Sequence, residues 1–503
     1  MDPGNLPGGE IPRPHNAGII VAQLSSPSYF FPVRLSQICP WCQPTSASAS
    51  LLAAALLFAG GCSTYDGKPD ALGAAAVDAA LAAPSIESVK VAAARLQHPL
   101  VAPLTIDGRD GFTPEEVAVM AVVTSPQLRA LRAQRGVSRA QVVQAGILPN
   151  PQLGYSLDKP VGNDDAGLVN GKSLGLSWEV TSLLGRHDRI ASARATADAL
   201  DLTVAWQEWQ TAQNTRLSAY RLLVLQQRLP LLRAIETDLG DTVAAFQVAL
   251  SHGHATTNEL TGASDAWITA RSNRLAAEKE DRAERSALNL ALGLPADADF
   301  KLKPANSISA LPADLTPAAL LQGLEQRRLD LVALTLGYES NEATLRAAVK
   351  AQFPKIGLSF ARVNDTSDVR THTFGITVDI PLFDRGQGAI ANGKATRQQL
   401  FDEYIARVAE ARAQVPLIFA DLAATRAQLA TSTAALPEWE RLVAAYEKAE
   451  ASGHSDAPAY RDARGALATH RLEQAALQQQ VFELEVALEI ATGRAPLNPP
   501  PST

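Results

Sequence analysis

The sequence predicts a mainly α-helical, internally duplicated chain in which long helical hairpins are combined with a membrane β-barrel. Residues 171–196 and 371–396 are weak copies of each other, and Gly175 and Gly375 are one of several matched pairs that lie 200 positions apart. A register held over this distance indicates an internal duplication. Each copy passes from a segment of period-two alternation into about 65 helix-forming residues. An export signal precedes both copies.

Residues 1–61 are predicted to be a spurious extension plus a signal peptide. The apolar segment 47–59 has the character of a secretory signal, and the small residues before Cys62 resemble the site where bacterial lipoproteins receive their lipid. We therefore expect lipidation of Cys62, and the alternative is an ordinary signal peptide with a chance cysteine. Because a signal normally lies near the first residue, we expect translation to begin at Val33 or Leu35.

The composition narrows the class of protein. The 503 residues are rich in Ala, Leu, Gln, Arg and Glu, which favours long helices. The net charge is −7 with acidic and basic residues mixed, so we expect no nucleic-acid partner. No run of about 20 apolar residues follows the N-terminal region, which argues against a bundle of membrane-spanning helices. Cys39 and Cys42 form a C-x-x-C pattern, but they lie upstream of the expected signal cleavage point, so no redox or zinc role is expected.

Downstream of the signal, the sequence predicts a linker, two repeats and a tail. The boundaries are 62–110 for a lipid-anchored, Ala-rich linker, 111–300 for repeat 1, 301–495 for repeat 2 and 496–503 for a disordered tail. Thr113 and Thr316, each followed by proline, predict the N-terminus of a helix in each repeat. We expect these helices to run to about residue 147 in repeat 1 and residue 353 in repeat 2.

Two pairs of strands are predicted, at 151–181 in repeat 1 and 354–381 in repeat 2. Apolar residues alternate in them with polar or small ones. The apolar faces carry Leu153, Tyr155, Leu157, Leu174, Leu176, Trp178 and Val180 in repeat 1, and Ile356, Leu358, Phe360, Phe374, Ile376, Val378 and Ile380 in repeat 2. This pattern is typical of strands with lipid on one side and water on the other, and the alternative is a soluble, half-buried hairpin. The export signal favours the membrane strand.

Helix-forming residues then run through 185–250 and again through 386–450. At 1.5 Å per residue each run would extend for about 100 Å, which is typical of a coiled-coil-like sleeve. Each run ends near a glycine, so each repeat should form a helical hairpin with its tip near Gly253 or Gly453. Prolines are expected to kink or interrupt the long helices, because each removes a helical hydrogen bond. They are Pro230, Pro416 and Pro437. The returning helices are predicted to end at Gly293 and Gly493.

These features together resemble the TolC outer-membrane efflux family, in particular its lipoprotein branch that pairs with inner-membrane resistance-nodulation-division pumps. The resemblance covers residues 110–495 and rests on the Ile-Pro-Leu-Phe-Asp-Arg-Gly motif at 380–386, the Leu-Pro-Asn-Pro strand entry at 148–151, the tip glycines and the two helix ends. Two departures are the first junction, 185–188, which copies the second only loosely, and Thr492, where the family commonly has leucine.

The resemblance implies a homotrimer in the bacterial outer membrane. Each protomer would give four strands to a twelve-stranded barrel and its helices to a tunnel through the periplasm. Four isolated strands cannot close a barrel or satisfy their edges in lipid, so oligomerisation is also expected on physical grounds. The implied partners are a periplasmic adaptor (a membrane fusion protein), an inner-membrane pump and outer-membrane lipid, and no cofactor is implied.

Candidate site residues follow from this arrangement. Glu179 and Asp379 should face the barrel lumen as rings of acidic charge that tune cation passage, and the alternative places them at the rim in bulk water. His252, His254 and His454 could surround a metal, but they are interpreted as polar surface. The remaining candidates are Gly253, His254, Gly453 and His454 for contact with an adaptor at the periplasmic tip, Asp456 and Asp462 for a gate, and Pro381, Gly386 and Gly388 for the junction of barrel and tunnel.

No nucleophile–base pair, phosphate loop or metal-ligand cluster stands out in the sequence, so no enzymatic activity is predicted. The predicted function is the exit duct of a tripartite efflux system, which passively conducts drugs or metal ions from an inner-membrane pump to the exterior. An alternative with the same fold is a duct for type I protein secretion. An alternative of another class is a periplasmic coiled-coil adaptor or scaffold lipoprotein, but an adaptor would carry one helical hairpin and soluble β-domains.

Overall fold

The computed structural model describes residues 65, 67, 72–82, 84–161, 167–303, 315–452 and 457–494. The helices are α1 Ala74–Leu81, α2 Ile86–Ala94, α3 Pro114–Thr124, α4 Pro126–Gly146, α5 Ser182–Ser251, α6 Thr257–Leu292, α7 Pro317–Leu321, α8 Leu324–Arg327, α9 Leu329–Lys350, α10 Gln387–Ala451 and α11 Ala457–Thr492. The strands are β1 Gln152–Asp158, β2 Gly171–Glu179, β3 Lys355–Asn364 and β4 Arg370–Asp379. The predicted signal, Cys62, Gly453, His454, Asp456 and the tail 496–503 lie outside the described residues.

The order of elements is duplicated, as the sequence predicts. Each half of the described chain begins with short helices and continues with a helix of 21 or 22 residues. Two strands follow, and then a long helical hairpin. Each half also has its own apolar core near the end of its returning helix. Val117 and Leu288 are buried in the first core, and Leu320 and Leu488 take the equivalent positions in the second. No helix among the described residues combines the length and apolar character needed to span a bilayer.

The segment predicted as a linker, 62–110, does not behave as a free linker along its whole length. Val89 and Ala93 of α2 are buried, and Ile106 is buried in the same core as α3. Burial of apolar surface of this kind stabilises a packed segment. The Ala-rich composition concealed these contacts, because only a few apolar residues of the segment carry them.

A buried histidine adds polar contacts to this docking. Nε2 of His98 donates to the backbone oxygen of Ala205 over 2.9 Å, and Nδ1 accepts the N–H groups of Leu100 and Val101 at 3.0 and 2.9 Å. Burial lowers the pKa of His98, which keeps the ring in the neutral form that these hydrogen bonds require. The imidazole therefore attaches the segment to α5.

The prediction of one continuous helix from residue 113 to about 147 is wrong. The helix breaks at Ser125, whose Oγ accepts the N–H of Leu128, and Pro126 begins α4. Proline suits the first helical position and disfavours helical conformation in the residue before it, so the Ser-Pro pair ends one helix and starts the next. In the second repeat the corresponding stretch is also divided, into α7, α8 and α9, with Gly323 at a φ of +67° between the first two.

The two long helices have packing partners along their length. Near its start α5 contacts α9, where Ser192 and Thr196 hydrogen-bond to Ser340. Further along, α5 contacts α6 and α11, and Arg221 makes ion pairs with a glutamate of each. The helix α10 changes partners in the same way, from α9 to α11. Because each long helix packs against one neighbouring helix after another along its length, helices of 70 and 65 residues are stabilised without a symmetric coiled coil.

Of the two outcomes expected at the prolines, a kink or an interruption of the long helices, the interruption is wrong. Pro230 lies inside the continuous helix α5, and Pro416 and Pro437 lie inside α10. A proline inside a helix costs roughly 3 kcal/mol, but contacts on both sides of it can offset this amount. Next to Pro230, Arg228 and Arg233 form ion pairs with α6 at 3.8 and 3.1 Å, so the helix is held on either side of the missing hydrogen bond.

The returning helices end at Gly293 and Gly493 in the left-handed conformation, with φ values of +68° and +63°, as the sequence predicts. A Cβ at Gly293 would lie 3.0 Å from Cδ of Pro126 and 3.3 Å from the backbone oxygen of Thr124. Thr492, which departs from the family pattern, is fully buried, and its Oγ1 donates to the backbone oxygen of Leu488 over 2.7 Å. The hydroxyl therefore has the partner that burial requires.

We expect Gly293→Ala to lower the free energy of unfolding by about 2 kcal/mol, because a Cβ is disfavoured at positive φ and would press on Pro126. Gly262→Ala is the matched control on the same helix, since a Cβ there meets nothing within 4 Å. It should be neutral or stabilise the helix by up to about 1 kcal/mol. Thermal unfolding followed by circular dichroism measures both variants, and equal midpoints for the two would contradict the prediction.

Candidate functional site

Four antiparallel strands lie side by side in the order β1-β2-β3-β4, so the last strand of repeat 1 pairs with the first strand of repeat 2. The strand registers place residues of the same face opposite one another across all four strands. One row of opposed residues runs Leu153, Leu176, Phe360, Phe374, and the next row, on the other face, runs Gly154, Gly175, Ala361, Thr373. The sheet therefore has one apolar face and one face of small or polar residues, which confirms the predicted alternation.

The apolar face is exposed within the single chain. Phe374 is 80% exposed, and Ile376 and Leu153 are each 72% exposed. Side chains of this size are usually buried in soluble domains, and a contiguous exposed apolar patch marks a surface that meets a partner or a membrane. The described residues of the single chain therefore leave this face uncovered.

The opposite face carries small side chains. Gly154 and Gly175 face each other across β1 and β2, and Ser359 faces Gly375 across β3 and β4. These residues add little volume above the backbone of the sheet. A curved sheet with this face inward would thus enclose open, polar space rather than a packed interior.

Glu179 and Asp379 both lie on the small, polar face, at the end of the sheet next to the long helices. Oε1 of Glu179 accepts the N–H of Ser182 at 2.9 Å, so this carboxylate also supports the start of α5. Lys355 lies directly opposite Asp379 in the register. The sequence pattern already places Lys355 on this face, but its charge was not counted with the two carboxylates; it reduces the formal charge of the group from −2 to −1 per chain.

The second junction connects β4 to α10. Gly386, the residue before the helix, has a φ of +71°, a conformation that favours glycine. Its N–H donates to Oδ1 of Asp384 over 2.9 Å, so the aspartate side chain stabilises the turn. Gly386 therefore lies where a glycine is needed.

The two other residues predicted at this junction differ in their setting. Pro381 follows β4, and its backbone oxygen accepts from Nε of Arg385 at 3.4 Å. Gly388 lies inside the first turn of α10, without a positive φ. The turn therefore depends on Gly386, and nothing in the conformation at position 388 requires glycine.

The first junction contains a charge cluster that sequence reasoning missed. Asp188 is 4% exposed near the start of α5, and its Oδ2 accepts from Nζ of Lys350 at 2.5 Å. Arg346 lies 3.6 Å from its other oxygen. The hydrogen bond from Lys350 lowers the pKa of Asp188. The only sign of this cluster in the sequence was that residues 185–188 resemble the second junction weakly. Asp188 corresponds there to Gly388, 200 positions later.

The described hairpin tip has the glycine and cap that the sequence predicts. Gly253 follows α5 with a φ of +70°, and the N–H of His254 donates to the backbone oxygen of Ala249 over 2.8 Å. This pairing is typical of a helix C-terminus closed by glycine. Thr256 and Glu259 then form a capping box at the start of α6. Gly253 and His254 thus occupy a solvent-exposed turn.

The predicted gate residue Asp462 is exposed near the start of α11. Two residues further along the helix, Arg464 lies 3.5 Å from Asp238 of α5 and connects the two helical hairpins. This ion pair was not apparent from the sequence, because its members are 226 positions apart (464 minus 238).

A buried polar network joins the two repeats nearer the cores. Oε2 of Glu489 accepts from Gln213 and Arg216 at 2.8 and 2.6 Å, and all three residues are buried. Tyr220 donates to Glu115 over 2.6 Å and stacks on Phe482, with ring centroids 4.0 Å apart. Burial raises the pKa of the Tyr220 hydroxyl, so it remains a donor. Such a network fixes α5 against α11, because breaking a buried pair leaves an uncompensated charge.

The sequence profile of the family described as "Outer membrane efflux protein" matches residues 117–294 and 320–494. The chain belongs to the outer membrane efflux protein family. The two matched segments coincide with the two structural repeats, which agrees with the duplication of the fold.

Known relatives and solved structures agree with this membership. The chain is 22% identical over 296 residues to the cobalt-zinc-cadmium resistance protein CzcC of Cupriavidus metallidurans, covering 59% of this chain and 69% of CzcC. A crystal structure of CusC is similar with a TM-score of 0.58 and 19% identity, covering 80% of this chain and 99% of CusC. The outer membrane protein VceC of Vibrio cholerae gives a TM-score of 0.59 and 17% identity, covering 76% and 96%.

The family membership confirms the predicted recognition, the general function and the location. The protein is an outer membrane efflux protein, and this family assignment agrees with the prediction of no enzymatic activity. The predicted fold class is confirmed as well, since the solved relatives share the arrangement of long helices and small sheet. The roles of individual site residues and the domain boundaries stay predictions.

The ion pairs of Asp188 predict a pH-dependent stability. Because its folded pKa is lowered, its contribution is present above the unfolded-state pKa of about 3.9 and is lost as the pH falls through the folded value. We expect Asp188→Asn to lower the thermal midpoint at neutral pH, and the difference from wild type to shrink below about pH 4. Asp198→Asn, at an exposed position of the same helix, is the control and should change nothing. A deficit of Asp188→Asn that is equal at about pH 7 and pH 3 would contradict this role.

Proposed function

We propose that three copies of this chain form a closed duct in the outer membrane, through which an inner-membrane pump, joined by a periplasmic adaptor, exports its substrates. The observation that carries this proposal is the four-stranded sheet, with an exposed apolar face on one side and small polar residues on the other. Lipid would cover the apolar face, and the cargo would pass along the polar one. The homologous channels supply the precedent for a trimer and for partners in the periplasm.

The strand count supports three copies. Among the described strands, β1 and β4 are each paired on one side only. Because the four strands alternate in direction, β4 of one copy can pair in antiparallel fashion with β1 of the next. Two copies would give eight strands, whose interior is just wide enough to be filled by side chains. Three copies give twelve, and the small residues of the inner face then leave an open lumen.

The helices would continue the lumen into the periplasm, and the connections between β1 and β2 and between β3 and β4 would face the exterior. Gly253 and His254, with Gly453 and His454, would lie at the periplasmic tips where an adaptor docks. An adaptor that binds the separated tips more tightly than the closed ones would shift the duct toward its open state. A lipid on Cys62 would add a second attachment to the membrane.

The charges on the polar face bear on what the duct conducts. Glu179, Asp379 and Lys355 would form rings at one level of the lumen, with a formal net charge of −1 for each chain. An excess of acidic charge favours cations. The similarity to a cobalt-zinc-cadmium resistance protein supports metal ions among the cargo. Drugs are the other class of cargo that the sequence led us to expect.

The proposal is tested with purified full-length protein, whose mass in detergent should be that of three chains and which should form ion channels in planar bilayers. We expect Glu179→Gln with Asp379→Asn to lower the ratio of cation to anion permeability by a few-fold, on the order expected for removed ring charges. Lys355→Gln should raise the same ratio. Reversal potentials in a salt gradient measure both. A monomeric protein without channels would contradict the duct, and unchanged reversal potentials would place these residues outside the narrow lumen.

For the gate, we expect Asp462→Ala to increase single-channel conductance, on the order of twofold, because it would weaken a polar ring that narrows the closed mouth. Asp265→Ala, an exposed aspartate on the returning helix of repeat 1, is the matched control and should leave conductance unchanged. Equal conductance of Asp462→Ala and wild type would reject the gate role.

A further inference from the structure

The apolar face of the sheet ends in basic residues at the end that lies away from the long helices. They are Lys172 on β2, Arg362 on β3, and Arg370 and His372 on β4. We refer to these four residues as the basic band. Arg362 lies opposite His372, and Lys172 and Arg370 lie on either side of Asn364, so the band occupies two neighbouring rows of the sheet. All four side chains are exposed.

The basic residues lie on one face only. Directly behind them, the rows of the polar face carry Ser156, Ser173, Val363 and Thr371, with Asp158 and Gly171 beside them. Among these strand residues none is basic. If this end of the sheet met water on both faces, nothing would favour basic residues on the apolar face over the polar face. The alternation therefore assigns the band to whatever surrounds the sheet and not to the lumen.

Below the band, the apolar surface continues along the sheet toward the long helices. Along the outer edge of the sheet, apolar residues follow one another from Ile380 to Phe374 on this face. Six residues at about 3.3 Å each give about 20 Å along the strand, of which a tilt of about 40° leaves about 15 Å of height, the larger part of the apolar band of about 25 Å on membrane barrels. His372 follows Phe374 on the same face, and its ring stacks on Phe360 with an interplanar angle of 12°. Aromatic rings followed by cations are what the boundary between acyl chains and headgroups favours.

The charges of the band are available for a ligand. None of the four residues forms an ion pair with a described residue. The nearby carboxylates of the β3–β4 turn have other partners. Oδ1 of Asp365 accepts the N–H groups of Ser367 and Val369 at 2.8 and 2.9 Å, and Oδ1 of Asp368 accepts from Asn364 at 3.0 Å. Both carboxylates are therefore hydrogen-bonded within the turn and form no ion pair with the band, whose cations have no acidic partner among the described residues.

We propose that the basic band binds the phosphate groups of lipids in the outer leaflet. This inference rests on the proposed function, in which the apolar face meets lipid and the far end of the sheet reaches the outer surface. Arginine and lysine bind phosphate oxygens through charge-assisted hydrogen bonds. Three copies would arrange twelve such residues around the barrel, where each group of four holds a phosphorylated headgroup while the acyl chains cover the apolar rows.

The test measures the affinity of the full-length protein in neutral detergent for lipid A, by displacement of a fluorescent lipid A. The probes are lipid A with both phosphates, dephosphorylated lipid A and inorganic phosphate. The variant is Arg362→Gln with Arg370→Gln. The matched control is Arg194→Gln with Lys394→Gln, two exposed basic residues at equivalent positions of α5 and α10. We expect binding of the phosphorylated lipid to weaken about fivefold for each cation removed from the band, so about 25-fold for the pair, and to stay unchanged in the control.

Dephosphorylated lipid A should bind wild type and variant alike, and inorganic phosphate should not displace the lipid at millimolar concentration. Equal affinity of variant and wild type for the phosphorylated lipid would overturn the proposal, and so would displacement by inorganic phosphate, which would indicate a site for free anions. Channel formation in planar bilayers is measured on the same samples. If wild type and variant both conduct and only the lipid result fails, the proposed duct is retained and the lipid site is rejected. If wild type forms no channel, the proposed duct is rejected, together with the lipid-facing placement of the sheet on which the lipid site rests.

Discussion

A strand in lipid must pair every backbone N–H and C=O group with another protein group, because the hydrocarbon offers none. The arrangement of the two repeats follows from this constraint. Two separate hairpins would present four strand edges per chain, whereas pairing β2 with β3 leaves two, on β1 and β4. The duplicated sequence thus forms one continuous unit of sheet. Its register is fixed by the alternation, since a slip of one residue would turn Phe374 and Ile376 toward the polar side.

The helical body holds this sheet in place through contacts between the repeats. The long helices α5 and α10 both pack on α9 near the sheet and both pack on α11 further away. Apolar cores around Leu288 and Leu488 supply most of the burial, and the network of Arg216, Gln213 and Glu489 crosses from one repeat to the other. A buried ion pair contributes little net stability, but an alignment of the helices that separated its partners would leave an uncompensated buried charge. The network therefore fixes how α5 lies against α11.

Features that depend on local pattern could be predicted from the sequence, and those that depend on distant partners could not. The strands were recognisable because alternation is a property of consecutive residues, and Gly253, Gly293 and Gly493 because helix ends need glycine locally. The break at Ser125 had a local signal as well, in the Ser-Pro pair, but the helical pattern on both sides concealed it. The continuity of α5 through Pro230 had no such signal, because the contacts on either side of the lost hydrogen bond, which include buried Ala277 and two ion pairs, come from α6.

The same distinction applies to the two junctions between sheet and helices, which descend from one duplicated segment. In the second junction the backbone turns at Gly386, assisted by Asp384, and both residues belong to the local motif. In the first, Asp188 occupies the position of Gly388 and is bound by Lys350, which lies 162 residues away. The first junction is thus attached to the end of α9 by buried charge, while the second depends on backbone conformation. Divergence after the duplication has therefore given one chain two physically different connections between the sheet and its long helices. In the sequence this difference is visible as the weak similarity of residues 185–188 to the second motif.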